Sequence, residues 1–193
     1  MSDRPRLVVA EDESIIRLDL VESLELAGCD VVGEAGDGAT ALRLIREIRP
    51  DVALLDIQMP AMDGLQVAEA VFEERLCAVV MVTAFSQTAL VARAADAGVM
   101  GFLVKPVQPA DLLPAITVAK SGFEHLQSLR NDVSVLEEKL ETRKLLEQAK
   151  ALLQHRHGFD ETQAFRWLQK AAMDQRLSMR NVAETLLRSA AEK

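Results

Sequence analysis

The chain has 193 residues, enough to bury one large core or two small ones. Hydrophobic residues make up 49% and charged residues 27%, as in ordinary globular proteins, and every apolar run is too short to cross a bilayer. Residues 1–140 hold 12 Lys and Arg against 23 Asp and Glu, whereas residues 141–193 hold 10 against 7. This asymmetry indicates two parts with separate tasks. The basic part could meet a polyanion, although solvated helix faces often carry a similar surplus.

The N-terminus and the cysteines bear on location. The first apolar run, Leu7 to Ala10, is only four residues long and leads into acids, which is not a signal-peptide pattern. Cys29 and Cys77 lack metal-ligand spacing, so we interpret them as small reduced hydrophobic side chains. We therefore predict a cytoplasmic protein with no membrane partner.

Over the first 120 residues, short β-type runs alternate with helical periods. The strand candidates, rich in Val, Leu or Ala, are Leu7–Ala10, Val31–Ala35, Val52–Asp56, Ala78–Thr83 and Phe102–Val104. The helical periods include Ile15, Leu18 and Leu24, then Leu42 and Ile45, then Leu65 and Val71, then Leu90 and Ala94, and last Leu112 and Ile116. Gly28, Gly98 and Pro50 supply helix stops. Five such units predict a doubly wound α/β fold with a five-stranded parallel sheet, whose functional crevice lies at the carboxyl ends of the strands.

From residue 120 onward the strand pattern is replaced by an apolar repeat. Leu126, Leu129, Val133, Leu136 and Leu140 alternate by three and four residues, which is the a/d spacing of a coiled coil over about two heptads. We predict a coiled-coil linker helix over residues 121–145 that pairs two chains. The alternative is a single amphipathic helix that packs on its own chain.

Two further short helices follow residue 158. Asp160 and Gln163 have the spacing of a capping box, and Ser178 is a helix cap for the last segment. Their apolar faces contain Ala164, Phe165, Leu168, Ala171, Ala172, Val182, Ala183, Leu186 and Leu187. We predict a small three-helix domain over residues 146–193.

The strand ends of the predicted sheet carry an acidic set with a hydroxyl and an ammonium. Glu11 and Asp12 follow strand one, Asp56 ends strand three, Thr83 ends strand four and Lys105 follows strand five. Because these ends meet in one crevice, the three carboxylates favour a hard divalent cation such as Mg²⁺. Thr83 can donate a hydrogen bond and Lys105 can neutralise charge, which completes a phosphoryl site. A carboxylate beside Mg²⁺ can accept phosphate as an acyl phosphate.

These residues resemble the receiver domains of two-component response regulators, which have a flavodoxin-like fold. The matching motifs are Glu11-Asp12, Asp56 within LLDIQMP, Asp63-Gly64, Thr83-Ala84, and Gly101-Phe102 ahead of Lys105-Pro106. The resemblance covers residues 1–120 and implies a histidine kinase as partner. It implies that Asp56 is the phosphoacceptor and that Mg²⁺ is held by Glu11, Asp12, Asp56 and the backbone carbonyl of Gln58. Thr83 and Lys105 would contact the phosphoryl oxygens, Phe102 would be the switch aromatic, and the Lys105-Pro106 bond would be cis.

A rival phosphotransferase class uses a nucleophilic Asp with a second Asp two residues later as general acid. That position is Gln58 here, and an amide cannot transfer the proton. We therefore predict a regulator and no free-standing enzyme.

Residues 147–190 resemble the ANTAR family of RNA-binding antiterminators. The residues that carry the resemblance are Ala149-Lys150, Leu152, Gly158, Ala164-Phe165, Leu168, Ala172-Met173 and Val182-Ala183. The order of receiver, coiled coil and ANTAR segment looks like that of actinobacterial response regulators with an ANTAR output. The resemblance implies binding to nascent RNA hairpins that prevents transcription termination.

Basic side chains on the polar faces of this segment are the candidate RNA contacts. They are Lys150, Arg156, His157, Arg166, Lys170, Arg176 and Arg180. Trp167 could stack on an unpaired base, but we favour a place for it in the bundle core.

We thus predict a response regulator that is phosphorylated on Asp56, dimerises and binds RNA. The alternative is a DNA-binding regulator with a helix-turn-helix output, which the glycine-free joint at Asp174–Leu177 and the long leading helix disfavour. A third possibility is an output that binds only protein.

Overall fold

The structure is a computed structural model, and it describes residues 4–84, 93–94 and 97–191. The described chain divides into two compact units, residues 1–127 and 128–193. Each unit has its own hydrophobic core.

Unit 1 contains a five-stranded parallel sheet. Its strands are β1 (Arg6–Ala10), β2 (Asp30–Ala35), β3 (Val52–Asp56), β4 (Ala78–Thr83) and β5 (Gly101–Val104). Their order across the sheet is β2-β1-β3-β4-β5, and every neighbouring pair is parallel. The predicted α/β fold class and the five strands are confirmed, with boundaries that differ by at most one residue.

Helices cover both faces of the sheet. Helix α1 spans Ser14–Leu26, α2 spans Gly38–Ile48 and α3 spans Gly64–Glu73, while α4 begins at Pro109. Successive strand residues point to opposite faces, so Val8 packs in the core with α2 and α3, whereas Leu7 and Val9 pack with α1 and α4. The predicted helical period at Leu90 and Ala94 lies mostly outside the described residues.

Helix α1 is less amphipathic than its sequence indicates. Leu20 and Leu24 are buried as expected, but Ile15 is 83% exposed and Leu18 is 67% exposed. The apolar side chains of α1 are therefore spread over more of the helix circumference than the part that packs on the sheet.

Helix α4 is the longest element, spanning Pro109–His157. Its first turns belong to unit 1, where Leu112 and Ile116 are fully buried. The helical pattern at Leu112 and the heptad repeat that follows it thus belong to one continuous helix. Among the described residues, no helix combines the length and the apolar character that a membrane span needs.

Unit 2 is a three-helix bundle made by the C-terminal part of α4 with α5 (Glu161–Gln175) and α6 (Met179–Ala191). Its core consists of small and branched side chains: Ala149, Leu153, Ala164, Leu168, Ala172, Val182 and Ala183. Asp160 and Gln163 form the predicted capping box, with backbone amides donating to side-chain oxygens at 2.7 and 3.0 Å. Ser178 Oγ accepts from the Asn181 amide at 3.2 Å, as expected of a cap.

Candidate functional site

Three carboxylates meet at the carboxyl end of the sheet in unit 1. Glu11, Asp12 and Asp56 each offer an oxygen, and these oxygens lie within 4.8 Å of one another. Glu11 is fully buried and Asp56 is 6% exposed, whereas Asp12 is exposed. Burial raises the pKa of Glu11, with a further contribution from the charge of Asp56. Hard oxygen donors at this spacing suit a divalent cation with oxygen ligands.

Lys105 places a positive charge against two of these acids. Its Nζ lies 2.6 Å from Glu11 Oε2 and 3.1 Å from Asp56 Oδ1. Burial alone would lower the pKa of Lys105, but the hydrogen bonds to Glu11 and Asp56 outweigh it and raise this pKa. The ammonium thereby offsets part of the repulsion between the carboxylates. The peptide bond between Lys105 and Pro106 is cis, as expected.

A cavity of about 310 Å³ opens beside Asp56. Its lining comprises Asp12, Glu13, Ile16, Asp56, Ile57, Gln58, Thr83, Ala84 and Lys105. Thr83 is 4% exposed at the end of β4, and the Lys105 amide donates to its carbonyl oxygen at 2.9 Å. The strand ends thus bring together the acids, the hydroxyl and the ammonium that the sequence predicts.

The segment after β3 is held close to Asp56 by a glycine. A Cβ atom on Gly64 would lie 2.0 Å from the Asp56 carbonyl oxygen, so a side chain at this position would displace the backbone. The Gly64 amide donates to the Ile57 carbonyl oxygen at 3.0 Å, and Asp63 caps helix α3 through the Gln66 amide. The Asp63-Gly64 motif therefore positions the loop that carries Gln58.

Phe102 and Arg17 lie close to the strand ends that form this site. Phe102 is partly buried and packs against the core on the α2 and α3 side of the sheet. Arg17, which sequence reasoning missed, donates from Nη1 to the Glu11 carbonyl oxygen at 2.6 Å, and its Nε lies 3.6 Å from Glu34. Its partners are a backbone atom and a residue of another strand, so no local pattern marks it.

In unit 2, two of the candidate basic residues already have acidic partners. Lys150 is only 9% exposed, and its Nζ lies 2.8 Å from Glu147 and 2.9 Å from Glu161. Arg180 forms ion pairs with carboxylates at positions 138, 141 and 184. These carboxylates raise the pKa of both basic groups and reduce the positive charge that either can offer to a polyanion.

The remaining candidates stand on exposed positions. Arg156, His157, Arg166, Lys170 and Arg176 are all exposed. The His157 ring also stacks on Phe159, with centroids 5.4 Å apart.

Trp167 is 40% exposed, so our preference for a core position is wrong. The bundle core is filled by Ala164 and Leu168 of the same helix. The indole therefore presents part of its surface to solvent, one turn before Lys170.

Four of the five residues of the predicted heptad repeat are also exposed, whereas the first, Leu126, is half-buried. Leu129, Val133, Leu136 and Leu140, here called the seam, are between 49% and 60% exposed. Within the described chain these side chains are therefore not buried in a core, which favours the interchain interpretation of the repeat over packing on its own chain.

Comparisons with known proteins agree with both units. The family model for the response regulator receiver domain matches residues 7–117, and the ANTAR domain model matches residues 134–187. The transcriptional regulatory protein PdtaR of Mycobacterium tuberculosis is 49% identical over 182 residues, which cover 94% of this chain and 89% of that protein. Chemotaxis protein CheY of Thermotoga maritima is 31% identical over 112 residues, covering 58% of this chain and 93% of CheY.

A solved structure supports the fold of unit 1. The signal receiver domain of NarL from Mycobacterium tuberculosis has a TM-score of 0.60 and 41% identity, and the match covers 62% of this chain and 98% of that domain. The parallel sheet, the acidic strand ends and both family matches lead to the same conclusion. The chain belongs to the two-component response regulators and carries a receiver domain followed by an ANTAR output domain.

Proposed function

We propose that a histidine kinase phosphorylates this regulator on Asp56, and that the phosphorylated protein dimerises and binds nascent RNA hairpins to prevent transcription termination. The observation that supports this most directly is that Asp56, Glu11 and Lys105 meet at the carboxyl end of the sheet. Both proposed partners put its site of action in the cytoplasm.

Asp56 is the nucleophile in this proposal. A carboxylate oxygen attacks the phosphorus of a phosphohistidine, the P–N bond breaks, and the imidazole leaves with a proton from solvent. Mg²⁺ held by Glu11, Asp12, Asp56 and the Gln58 carbonyl would offset negative charge on the phosphoryl oxygens. Thr83 and Lys105, both lining the cavity, donate hydrogen bonds to those oxygens. Phe102 is the proposed switch aromatic that follows the movement of Thr83.

The kinase would dock beside this cavity. Ile15, Ile16, Pro106 and Val107 line a neighbouring groove of about 560 Å³, and Ile15 is 83% exposed. An exposed apolar groove next to a reacting carboxylate suits a protein partner that must bring its own phosphohistidine to Asp56.

RNA would bind to unit 2 through charge and stacking. Arg166 and Lys170 are exposed on the same face of α5, where phosphate oxygens can reach them. Trp167 offers a partly exposed ring on which an unpaired loop base can stack. Lys150 and Arg180 stay candidates whose charges are already paired within the bundle.

The seam would pair two chains and so double the number of RNA-binding surfaces. Joining two such surfaces raises the effective concentration of the second one once the first has bound. Phosphorylation that favours dimers thereby tightens RNA binding without a new contact to RNA. We expect a coupling of about 5- to 150-fold in affinity, the usual range for linked sites.

Binding of the full chain to a hairpin-rich RNA pool and to duplex DNA, at matched salt, tests the output. We expect RNA to be preferred, the affinity to fall steeply with salt, and a small phosphodonor with Mg²⁺ to tighten binding. Preference for duplex DNA would support a helix-turn-helix output, and binding to neither would favour a protein partner. Equal RNA affinity with and without the phosphodonor would contradict the switch but not the RNA binding.

A further inference from the structure

The seam of helix α4 faces away from the helices of its own unit. Away from the seam, Glu138 and Glu141 of the same helix form ion pairs with Arg180 of α6. That side of α4 is occupied, whereas the seam side chains are between 49% and 60% exposed. An apolar stripe at heptad spacing is completed by another helix with the same spacing, and a second copy of α4 supplies one.

Building on the dimer proposed above, we infer that the two α4 helices pair in an antiparallel orientation. The charges that flank the seam carry this inference. In a two-stranded coiled coil these flanking side chains approach the partner helix and decide which orientation brings opposite charges together.

The heptad position of each flanking charge follows from the spacing of the seam. Val133 and Leu140 occupy a positions, and Leu136 occupies a d position. The charged residues on either side are Arg130, Glu137 and Lys144 at e positions, with Asp132 and Lys139 at g positions. Asp132, Glu137, Lys139 and Lys144 are all exposed.

A parallel pair would bring like charges together. In that orientation a g residue faces the e residue of the next heptad on the partner. Asp132 would face the partner's Glu137, and Lys139 would face the partner's Lys144. Arg143, at the next d position, would lie in one layer with the partner's Arg143. Each of these contacts is repulsive.

An antiparallel pair brings opposite charges together. In that orientation g residues face g residues and e residues face e residues, while a and d residues share layers. With Val133 opposite the partner's Leu136, Asp132 faces the partner's Lys139 and Arg130 faces the partner's Glu137. The two-fold axis repeats each contact, so the seam is flanked by opposite charges at four places.

The same charges also select the register. Sliding the antiparallel helices by one heptad would place Asp132 against the partner's Asp132 in one direction. In the other direction it would place Lys139 against the partner's Lys139. Only the register that joins Asp132 to the partner's Lys139 brings opposite charges together beside the seam while keeping its four layers apolar, with Arg143 opposite the partner's Leu126 beyond them. Orientation and register are therefore specified together.

Two single charge reversals in the full chain distinguish the orientations. In the antiparallel dimer, Asp132→Lys or Lys139→Glu converts two attractive contacts into repulsive ones, and we expect each variant to dimerise about tenfold more weakly. Mixing the two variants restores both contacts in the heterodimer, so dimerisation should recover. Sedimentation of the phosphorylated wild type, each variant and the mixture measures this.

A parallel dimer predicts the opposite result. Asp132→Lys would then face the partner's Glu137, and Lys139→Glu would face the partner's Lys144, so each variant alone would dimerise more tightly than the wild type. Mixing them would give no further gain. Tighter dimers of the single variants would overturn the antiparallel proposal while leaving the proposed dimer in place.

Disulfide cross-linking gives a second readout that does not depend on charge. In the antiparallel register Leu129 lies opposite the partner's Leu140, whereas the two copies of residue 129 are about 16 Å apart along the helix axis. A mixture of Leu129→Cys and Leu140→Cys chains should form a disulfide-linked heterodimer, and Leu129→Cys alone should not. The native Cys29 and Cys77 are buried and provide no competing thiol.

The outcomes separate this inference from the proposed function. Efficient cross-linking of Leu129→Cys alone, with none in the mixture, would overturn the orientation only. A wild type that stays monomeric when phosphorylated would overturn both the dimer and its orientation. Recovery of dimerisation in the charge-reversal mixture, together with heterodimer cross-linking, would establish the antiparallel pair.

Discussion

In unit 1, Glu11 and Asp56 lie at strand ends, where the backbone fixes them and solvent hardly reaches them. In unit 2, Arg166 and Lys170 stand on helix α5 in contact with solvent. The difference corresponds to the two proposed tasks. Transfer of a phosphoryl group needs a few atoms held at defined distances, whereas binding of a polyanion needs charge that can adjust to many phosphates.

The largest effect should come from changing Asp56, the proposed nucleophile in unit 1. Asp56→Asn keeps the shape of the side chain but removes the nucleophilic oxygen and a cation ligand, so phosphorylation should be abolished with the fold intact. Incubation with a small phosphodonor and Mg²⁺ measures it. Asp51→Asn is the matched control, because Asp51 precedes the same strand at its other end and pairs with Lys120 at 2.8 Å. Undiminished labelling of the Asp56→Asn variant would refute the assignment.

The proposed dimerisation should respond nearly as strongly to charges placed in the seam. Replacing Leu129 and Leu136 with Asp places unpaired charges in the seam of the dimer, which is costly, so phosphorylated dimers should be lost. Val135→Asp is the control, since Val135 is 48% exposed on the same helix but lies off the seam. Sedimentation reports the result. Loss of dimers in the Val135→Asp variant, or their persistence in the seam variant, would place the interface elsewhere.

The sequence predicts unit 1 better than unit 2, and the reason is physical. Strand ends of a parallel sheet must meet, so order along the chain is enough to assemble Glu11, Asp56 and Lys105 into one site. On a helix, the sequence shows only which residues share a face. Whether Lys150 is paired and whether Trp167 is buried depends on the neighbouring helices. Neither property could be predicted before the packing of the three-helix bundle was known. For the same reason, the apolar periodicity of α1 did not predict that Ile15 would be exposed.

A smaller effect, on the stability of unit 1, should follow from replacing Gly64, which packs on the backbone of Asp56. Gly64→Ala places a methyl group 2.0 Å from the Asp56 carbonyl oxygen, and we expect a loss of about 1–3 kcal/mol in the free energy of unfolding. Gly122→Ala, in helix α4 with only ordinary contacts, should instead stabilise by about 0.5–1 kcal/mol. Denaturant titration measures both. Equal stability of the two variants would show that the loop after β3 yields easily.

The partly exposed indole of Trp167 in unit 2 should contribute to RNA binding. Trp167→Ala should weaken RNA binding by about 1–3 kcal/mol, the usual contribution of one stacked base. Trp167 is the single tryptophan of the chain, so quenching of its fluorescence on RNA addition reports the contact directly. Phe165→Ala, which removes an aromatic ring from another flank of α5, is the control and should change affinity less. Unquenched fluorescence at saturating RNA would contradict a contact between the indole and RNA.

The burial of both cysteines has a consequence for how the protein meets oxidative stress. Cys29 and Cys77 are at most 3% exposed, and burial raises the pKa of the Cys29 thiol and raises that of Cys77 to about 12. Peroxides and disulfides react with thiolates, which neither residue supplies near neutral pH. Both thiols are therefore shielded in the folded receiver, and their oxidation requires the core of unit 1 to open first.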